Sequence, residues 1–373
     1  MPEPPPASPA VVPAGEELGA EPAVTPVSPP APPLLPEREP QPFRFHGNAR
    51  EFFRIWITNL LLTLLSLGVF AAWAKVRRRR YLRGCIELMG HRFDYLADPR
   101  RILIGNVLVV ILFLAYSLFG AVYPTVRIGT IVIALLLLPW IIVRSLAFNA
   151  NNTVYRGMRF RFHQPLSPAI MVYLIKPLLI PLTLGCYYPA WVRARRHYVI
   201  SFHRLGDAYF NFTGGSGPLY LAYILSSMLI ISAAAGGMAL TVVFTGREGA
   251  QLSPAQLIPF FLLYGLALFT AKHYIHATLF NHVWNHTTLG RHRFAANMNI
   301  TRWVGMQYVN IAAVVLSCGL LYPWAVIRTA RRTAESLTFC PASPIENIER
   351  LGGRAGSAVG ESAAEFIGLD FGL

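Results

Sequence analysis

Charge is scarce in this chain, and acidic charge is scarcer still. Only 14% of its 373 residues are charged, against about 25% in an ordinary soluble domain. Between residues 43 and 340 the acids are Glu51, Glu87, Asp94, Asp98, Asp207, Glu248 and Glu335. All lie outside the middle of the apolar runs, and no pair is placed for general acid–base work. HExxH, GxSxG and a glycine-rich phosphate loop are absent, which removes the motifs of metalloproteases, hydrolases and nucleotide enzymes. The four cysteines, Cys85, Cys186, Cys318 and Cys340, show no metal or redox spacing, and two sit inside apolar runs. No disulfide, metal, cofactor or enzyme activity is expected.

What the chain has instead is grease with basic borders. It is 54% hydrophobic, with seven long apolar runs at 52–74, 102–123, 128–148, 169–192, 219–245, 255–280 and 304–326. A helix needs about 20 apolar residues to cross the hydrocarbon, and each run meets that length. The net charge of +15 is unevenly spread. Residues 1–42 carry −5 and 341–373 carry −3, leaving +23 on 43–340. The basic residues form short clusters beside the runs, as cytoplasmic flanks of membrane spans do. That placement speaks against nucleic acid and for anionic lipid headgroups. Lys75, Arg77, Arg78, Arg79 and Arg80 continue off the first run and are the candidate headgroup contacts.

Residues 1–42 hold 15 of the 29 prolines and read as a disordered acidic tail without the basic start and apolar core of a secretory signal. The stretch 341–373 reads as mostly disordered, leaving 43–340 as the membrane domain. The expected fold is an all-α polytopic membrane protein of about seven hydrophobic segments, with short β-hairpins at the cytoplasmic face.

Three runs have basic flanks at both ends and resemble one another. Aligned without gaps they read NLLLTLLSLGVFAAWAKVR (59–77), KPLLIPLTLGCYYPAWVRA (176–194) and NIAAVVLSCGLLYPWAVIR (310–328). They share Gly68, Gly185 and Gly319, preceded by Ser66, Thr183 and Ser317 and, seven residues earlier again, by Asn59, Lys176 and Asn310. Seven residues is close to two helical turns, so each polar pair shares a face. The glycines, with Pro189 and Pro323, are helix-break candidates. These runs either dip in and return, putting every basic loop inside, or cross straight and violate the positive-inside rule. Polar residues within membrane spans are functional candidates by default, so Asn59, Ser66, Lys176, Thr183, Asn310 and Ser317 form a candidate intramembrane site. Interhelical hydrogen bonding is the plainer role for the Asn and Ser residues.

A second pattern follows each basic cluster: GHRFDY (90–95), GMRFRFH (157–163), GDAYFNFT (206–213) and GRHRFA (290–295), headed by FRFHG (43–47). Alternating aromatic and polar residues suit short strands with one apolar face, expected on the membrane or on helices; irregular interfacial loops are the alternative. His273, His276, His282, His286 and His292 crowd together without an acid or cysteine to complete a metal site. Ser232 to Gly237 reads as small-residue helix packing.

FRFHG (43–47), FFRIWITNLLLTLLSLGVFAAWAKVRRRRY (52–81) and GHRFDYLADPRRILIG (90–105) resemble the YjgN-like family of bacterial inner-membrane proteins, and TLGCYYPAW (183–191) extends the likeness. The resemblance covers about 43–340. It implies a multi-pass protein of the bacterial inner membrane whose domain has no established activity, and it hints at a membrane protease as partner. Two readings of function follow: transport of a small solute, ion or lipid between the three broken segments, or a non-transporting scaffold that holds a protein partner. Neither fixes an oligomeric state.

Overall fold

The computed structural model describes residues 39–162, 166–206, 208–245 and 254–342. Apart from strand β1, the expected tails at 1–42 and 341–373 lie almost wholly outside them. The order of elements runs helix, helix, strand, strand. The short strands β1 (Gln41–Pro42) and β2 (Arg44–Phe45) open the chain. Then come α1 (Ala49–Leu65), α2 (Ala71–Gly84), β3 (Ile86–Leu88) and β4 (His91–Tyr95). Next are α3 (Pro99–Val122), α4 (Pro124–Asn151), β5 (Thr153–Tyr155) and β6 (Met158–Phe162). The third set is α5 (Leu166–Ile170), a π-turn over Met171–Ile175, α6 (Lys176–Leu182), α7 (Tyr188–Ser201), β7 (His203–Leu205) and β8 (Ala208–Phe212). The fourth is α8 (Gly217–Thr245), α9 (Ile258–Asn285), β9 (Thr287–Leu289) and β10 (His292–Ala296). The chain ends its described course with α10 (Ile300–Leu316), α11 (Tyr322–Glu335) and β11 (Leu337–Cys340).

The strands are more than the short surface hairpins, or hairpins paired into a sheet, that the alternation suggests: they form one eleven-stranded antiparallel sheet. Its order is β1-β11-β10-β9-β8-β7-β6-β5-β4-β3-β2. The two edge strands are consecutive in the chain, divided only by Phe43, so the sheet is a nearly closed barrel. Phe43 N donates to Leu337 O on one side, and His46 N donates to Cys85 O on the other. An open edge would be a liability; here the FRFHG segment covers the seam. Two-residue turns set the hairpin registers. Met89–Gly90 and Arg156–Gly157 hold both residues at positive φ, the twist that suits adjacent strands.

The aromatic faces turn into the barrel, not onto the membrane. Phe43, Phe93, Phe160, Phe210 and Phe294 stack in sequence at centroid distances of 6.4, 6.5, 6.2 and 6.1 Å. A second row of Leu88, Tyr155, Leu205, Leu289 and Phe339 is buried in the same core. The alternation in GHRFDY and its relatives is therefore that of a filled barrel interior. Tyr155 OH, a polar atom in that interior, donates to Leu88 O at 2.9 Å.

The helix count also departs from expectation. Among the described residues four helices, α3, α4, α8 and α9, are long and apolar enough to cross a membrane, and most of their surface faces outward. Runs 52–74, 169–192 and 304–326 are not single spans. Each is two short helices joined by the same turn. Leu67, Leu184 and Cys318 adopt φ of 49°, 50° and 51°, and the following glycines 93°, 89° and 92°. The N–H groups of Gly68, Gly185 and Gly319 donate to Thr63, Ile180 and Val314 carbonyls, each at 2.8 Å. This is the Schellman end of a helix. A 17-residue helix such as α1 rises only ~25 Å, short of a bilayer's hydrocarbon core of about 30 Å. Pro189 and Pro323 then sit at the start of α7 and α11, where a missing N–H costs nothing.

Strand direction places every helix pair at one end of the barrel and every β-turn at the other, because β3, β5, β7, β9 and β11 all lead away from a helix. Between α8 and α9 the packing is close. A Cβ on Gly237 would lie 2.8 Å from Phe260 Cα, whereas one on Gly236 would meet nothing within 4 Å. Gly237→Ala should therefore destabilise the hairpin by about 1–3 kcal/mol, while Gly236→Ala leaves it unharmed. Thermal melts of the two variants in one detergent check this, and equal behaviour would refute the contact.

Candidate functional site

The three shared hydroxyls have local duties. Ser66 Oγ accepts from Phe70 N at 2.8 Å, Thr183 Oγ1 from Tyr187 N at 3.0 Å, and Ser317 Oγ from Leu321 N at 3.0 Å. Each stands at the C-cap of the outgoing helix and bridges the turn to the residue just before the return helix, a structural use of the spacing to glycine. The deeper polar residues are not brought together. The α1–α2 hairpin packs against α11 and α3, and the α10–α11 hairpin against α9 and α1. Lys176, on the α5–α7 hairpin, belongs to a group packed on α4 and α8. It closes a π-turn in which its N–H donates to Met171 O. Pro177 cannot donate and crowds the preceding turn, which explains the widened helix.

Asn59 and Asn310 occupy matching places on α1 and α10, and their surroundings differ. Asn310 is saturated: Nδ2 donates to Gln307 Oε1 and Thr329 Oγ1, each at 3.2 Å, and Arg328 Nη1 donates to its Oδ1 at 3.3 Å. Asn59 is 7% exposed, and its Nδ2 reaches Ala74 O at 3.4 Å. Its Oδ1 is buried with no hydrogen-bond partner. Asn59 lines a groove of about 270 Å³ between α1 and α2, with Trp56, Thr63, Lys75 and Arg78 among the other lining residues. Trp56 and Thr63 were legible as one helix turn either side of Asn59, but nothing in the sequence marked a cavity.

The basic cluster divides by helix face. Arg79 Nη1 donates to Asn149 Oδ1 at 2.9 Å, and Arg80 Nε donates to Tyr95 O at 3.0 Å. Arg83, at the end of the same basic stretch, reaches Thr153 Oγ1 and stacks 4.5 Å from the Tyr95 ring. These arginines bind α2 to the strands and to α4. His197 makes the corresponding contact in the third set, to Phe212 O at 3.1 Å. Arg77 is exposed, and Lys75 and Arg78 line the groove.

The histidines of α9 and β10 scatter into separate roles. His276 stacks on Trp303 at 5.1 Å. His282 Nε2 bonds with Gly215 O at 2.8 Å, and His286 Nδ1 with His282 O at 2.7 Å. His273 packs on Phe269. His292 is buried in the barrel and accepts from Ala342 N, and burial pushes its pKa down. Among the described residues, no three His, Cys, Asp or Glu side chains stand as a metal-holding group.

Residues 40–366 match the family described as Bacterial protein of unknown function (DUF898). The chain belongs to that family. Inner membrane protein YjgN of Escherichia coli (strain K12) is 31% identical over 152 residues, covering 39% of this chain and 37% of that protein. Inner membrane protein YjgN of Salmonella typhimurium (strain LT2) is 24% identical over 285 residues, covering 76% and 57%. The matched stretch is thus well under two thirds of those relatives' own length. No solved structure matches the chain.

Proposed function

We propose that the chain is a non-conducting platform of the bacterial inner membrane, a barrel on the cytoplasmic surface with two crossing hairpins and three that reach only part-way. The observation that carries this reading is the barrel itself. Its interior is filled by stacked aromatic rings, and all helix pairs leave and return at one end. The basic helix ends gather there, which by the positive-inside tendency favours the cytoplasm. The names of the relatives and the four long apolar helices support the membrane and its identity. A polar conduit would need Asn59, Lys176 and Asn310 to meet; the hairpins of Asn59 and Asn310 adjoin through α1 and α11, but that of Lys176 packs on α4 and α8 instead. A platform needs no such meeting; its outward strand face, with exposed Arg92, Arg159 and Arg293, suits an acidic protein partner.

Cys186 and Cys318 test this directly, because both are exposed and sit in hairpin turns. With Cys85 and Cys340 replaced by Ala, a charged maleimide should label neither turn cysteine from either side of membrane vesicles, and both after unfolding in dodecyl sulfate. Tyr209→Cys, on the barrel exterior, should label from the cytoplasmic side, and Tyr123→Cys from the opposite side. Labelling of Cys186 or Cys318 from the periplasmic side would overturn the part-way hairpins. Ion leak from protein-containing liposomes above that of empty ones would overturn the absence of a conduit.

A further inference from the structure

We propose that the α1–α2 groove is a binding site for the headgroup of an anionic glycerophospholipid that carries a free hydroxyl, of the phosphatidylglycerol type. The inference rests on the membrane placement proposed above and adds a ligand to it. Three observations converge. The groove has a volume of about 270 Å³ and is open on one side, with Trp56, Ile55 and Leu60 as apolar wall. Two cationic side chains, Lys75 and Arg78, line it, and no acid does. Asn59, nine-tenths buried, holds a carboxamide oxygen there without a partner.

An orphaned acceptor in an apolar setting costs about 1–3 kcal/mol, and the chain has a ready way to avoid it. At the matching place on α10, Arg328 and Thr329 of the return helix close upon Asn310. On the α1–α2 hairpin the residues at those two places are Arg77, which is exposed, and Arg78, which lines the groove. The same scaffold position is therefore closed in one hairpin and open in the other. What enters must be negative, to meet two cations. It must offer a hydrogen-bond donor to Asn59 Oδ1, and it must be apolar elsewhere, since Ile55, Trp56 and the 40% exposed Leu60 wall the groove. A lipid phosphodiester with a hydroxylated head meets all three demands. A soluble phosphate ester meets only the first two.

The test is native mass spectrometry of the full chain in detergent, titrated with dioleoyl phosphatidylglycerol, phosphatidylcholine or inorganic phosphate. The wild type should retain one phosphatidylglycerol at least ten-fold more tightly than phosphatidylcholine. Lys75→Gln with Arg78→Gln should abolish that difference, whereas Arg77→Gln, equal to one of these changes in charge, should preserve it. Asn59→Asp keeps the acceptor and the shape but adds a negative charge, so it should fold and bind phosphatidylglycerol at least five-fold more weakly. Asn59→Leu should keep phosphatidic acid binding and lose the preference for the hydroxylated head. Equal losses from Arg77→Gln and Arg78→Gln would mean diffuse attraction and sink the site. Displacement of the lipid by millimolar inorganic phosphate would assign the groove to a soluble phosphate and overturn the lipid. If Cys186 and Cys318 label from water while the adduct pattern holds, the platform fails and the headgroup site stands.

Discussion

Replacing Phe294 with Ala should cost about 3–5 kcal/mol, a large part of the roughly 5–15 kcal/mol that holds a domain together. Phe294 is the meeting point of the barrel interior. Its ring lies 6.1 Å from Phe210, 5.3 Å from Phe339 and 5.1 Å from Trp284 of α9. Truncation would leave a cavity that the surrounding strands cannot close, because each is tied to two neighbours in fixed register. The expected readout is a lowered melting temperature in detergent with loss of protection of the β9–β11 amides in hydrogen exchange. Tyr209→Ala, on the outer face of β8 two strands away and 60% exposed, should shift stability by no more than about 0.5 kcal/mol. Equal effects from the two variants would mean that the alternation does not face a packed lumen.

The second large effect concerns the hairpin turns. Leu67 and Leu184 are each 95% exposed and adopt left-handed φ, which costs an L-residue roughly 1–2 kcal/mol. In water nothing would offset that strain. In hydrocarbon, immersing a leucine side chain returns about 1.5–3 kcal/mol, so the surrounding lipid explains the residue choice. Arginine in place of Leu67 or Leu184 should then cost about 2.5–3.5 kcal/mol at each turn if it reaches the bilayer centre, less if the side chain snorkels. The double variant should be degraded or lost from the membrane fraction, while Leu67→Gly and Leu184→Gly are retained. Retention of the double arginine variant at wild-type level would place the turns in water.

Both effects show how unevenly the fold could be read. The hairpin turn was legible as Gly68, Gly185 and Gly319 with a hydroxyl two residues before, because a Schellman end and its cap are local and need only nearby backbone. The length of the apolar runs misled. A run of 23 residues such as 52–74 satisfies a span count, and hydropathy cannot register that the chain reverses within it. The strands were visible as alternation at Phe93 and Tyr95 or Phe160 and Phe162, yet the pairing of Gln41 with Phe339 joins segments some 300 residues apart. No local pattern encodes such a pairing. For the candidate site, Asn59 was singled out together with Ser66, Thr183 and Ser317; Asn59 is buried with a free oxygen, whereas the other three oxygens are bonded within their own turns.

The sequence by itself determined that this chain prefers lipid, where three of its apolar runs turn, and which side of each short strand is apolar. Those properties depend on transfer free energy, backbone conformation and residues within one or two turns. Tertiary structure alone decided that eleven strand segments, the first two divided only by Phe43, wrap into one filled barrel. It alone sorted Lys75 and Arg78 from Arg79 and Arg80, and left Asn59 open where Asn310 is closed. These outcomes turn on which distant side chain arrives as neighbour, and that is settled only when the whole chain packs.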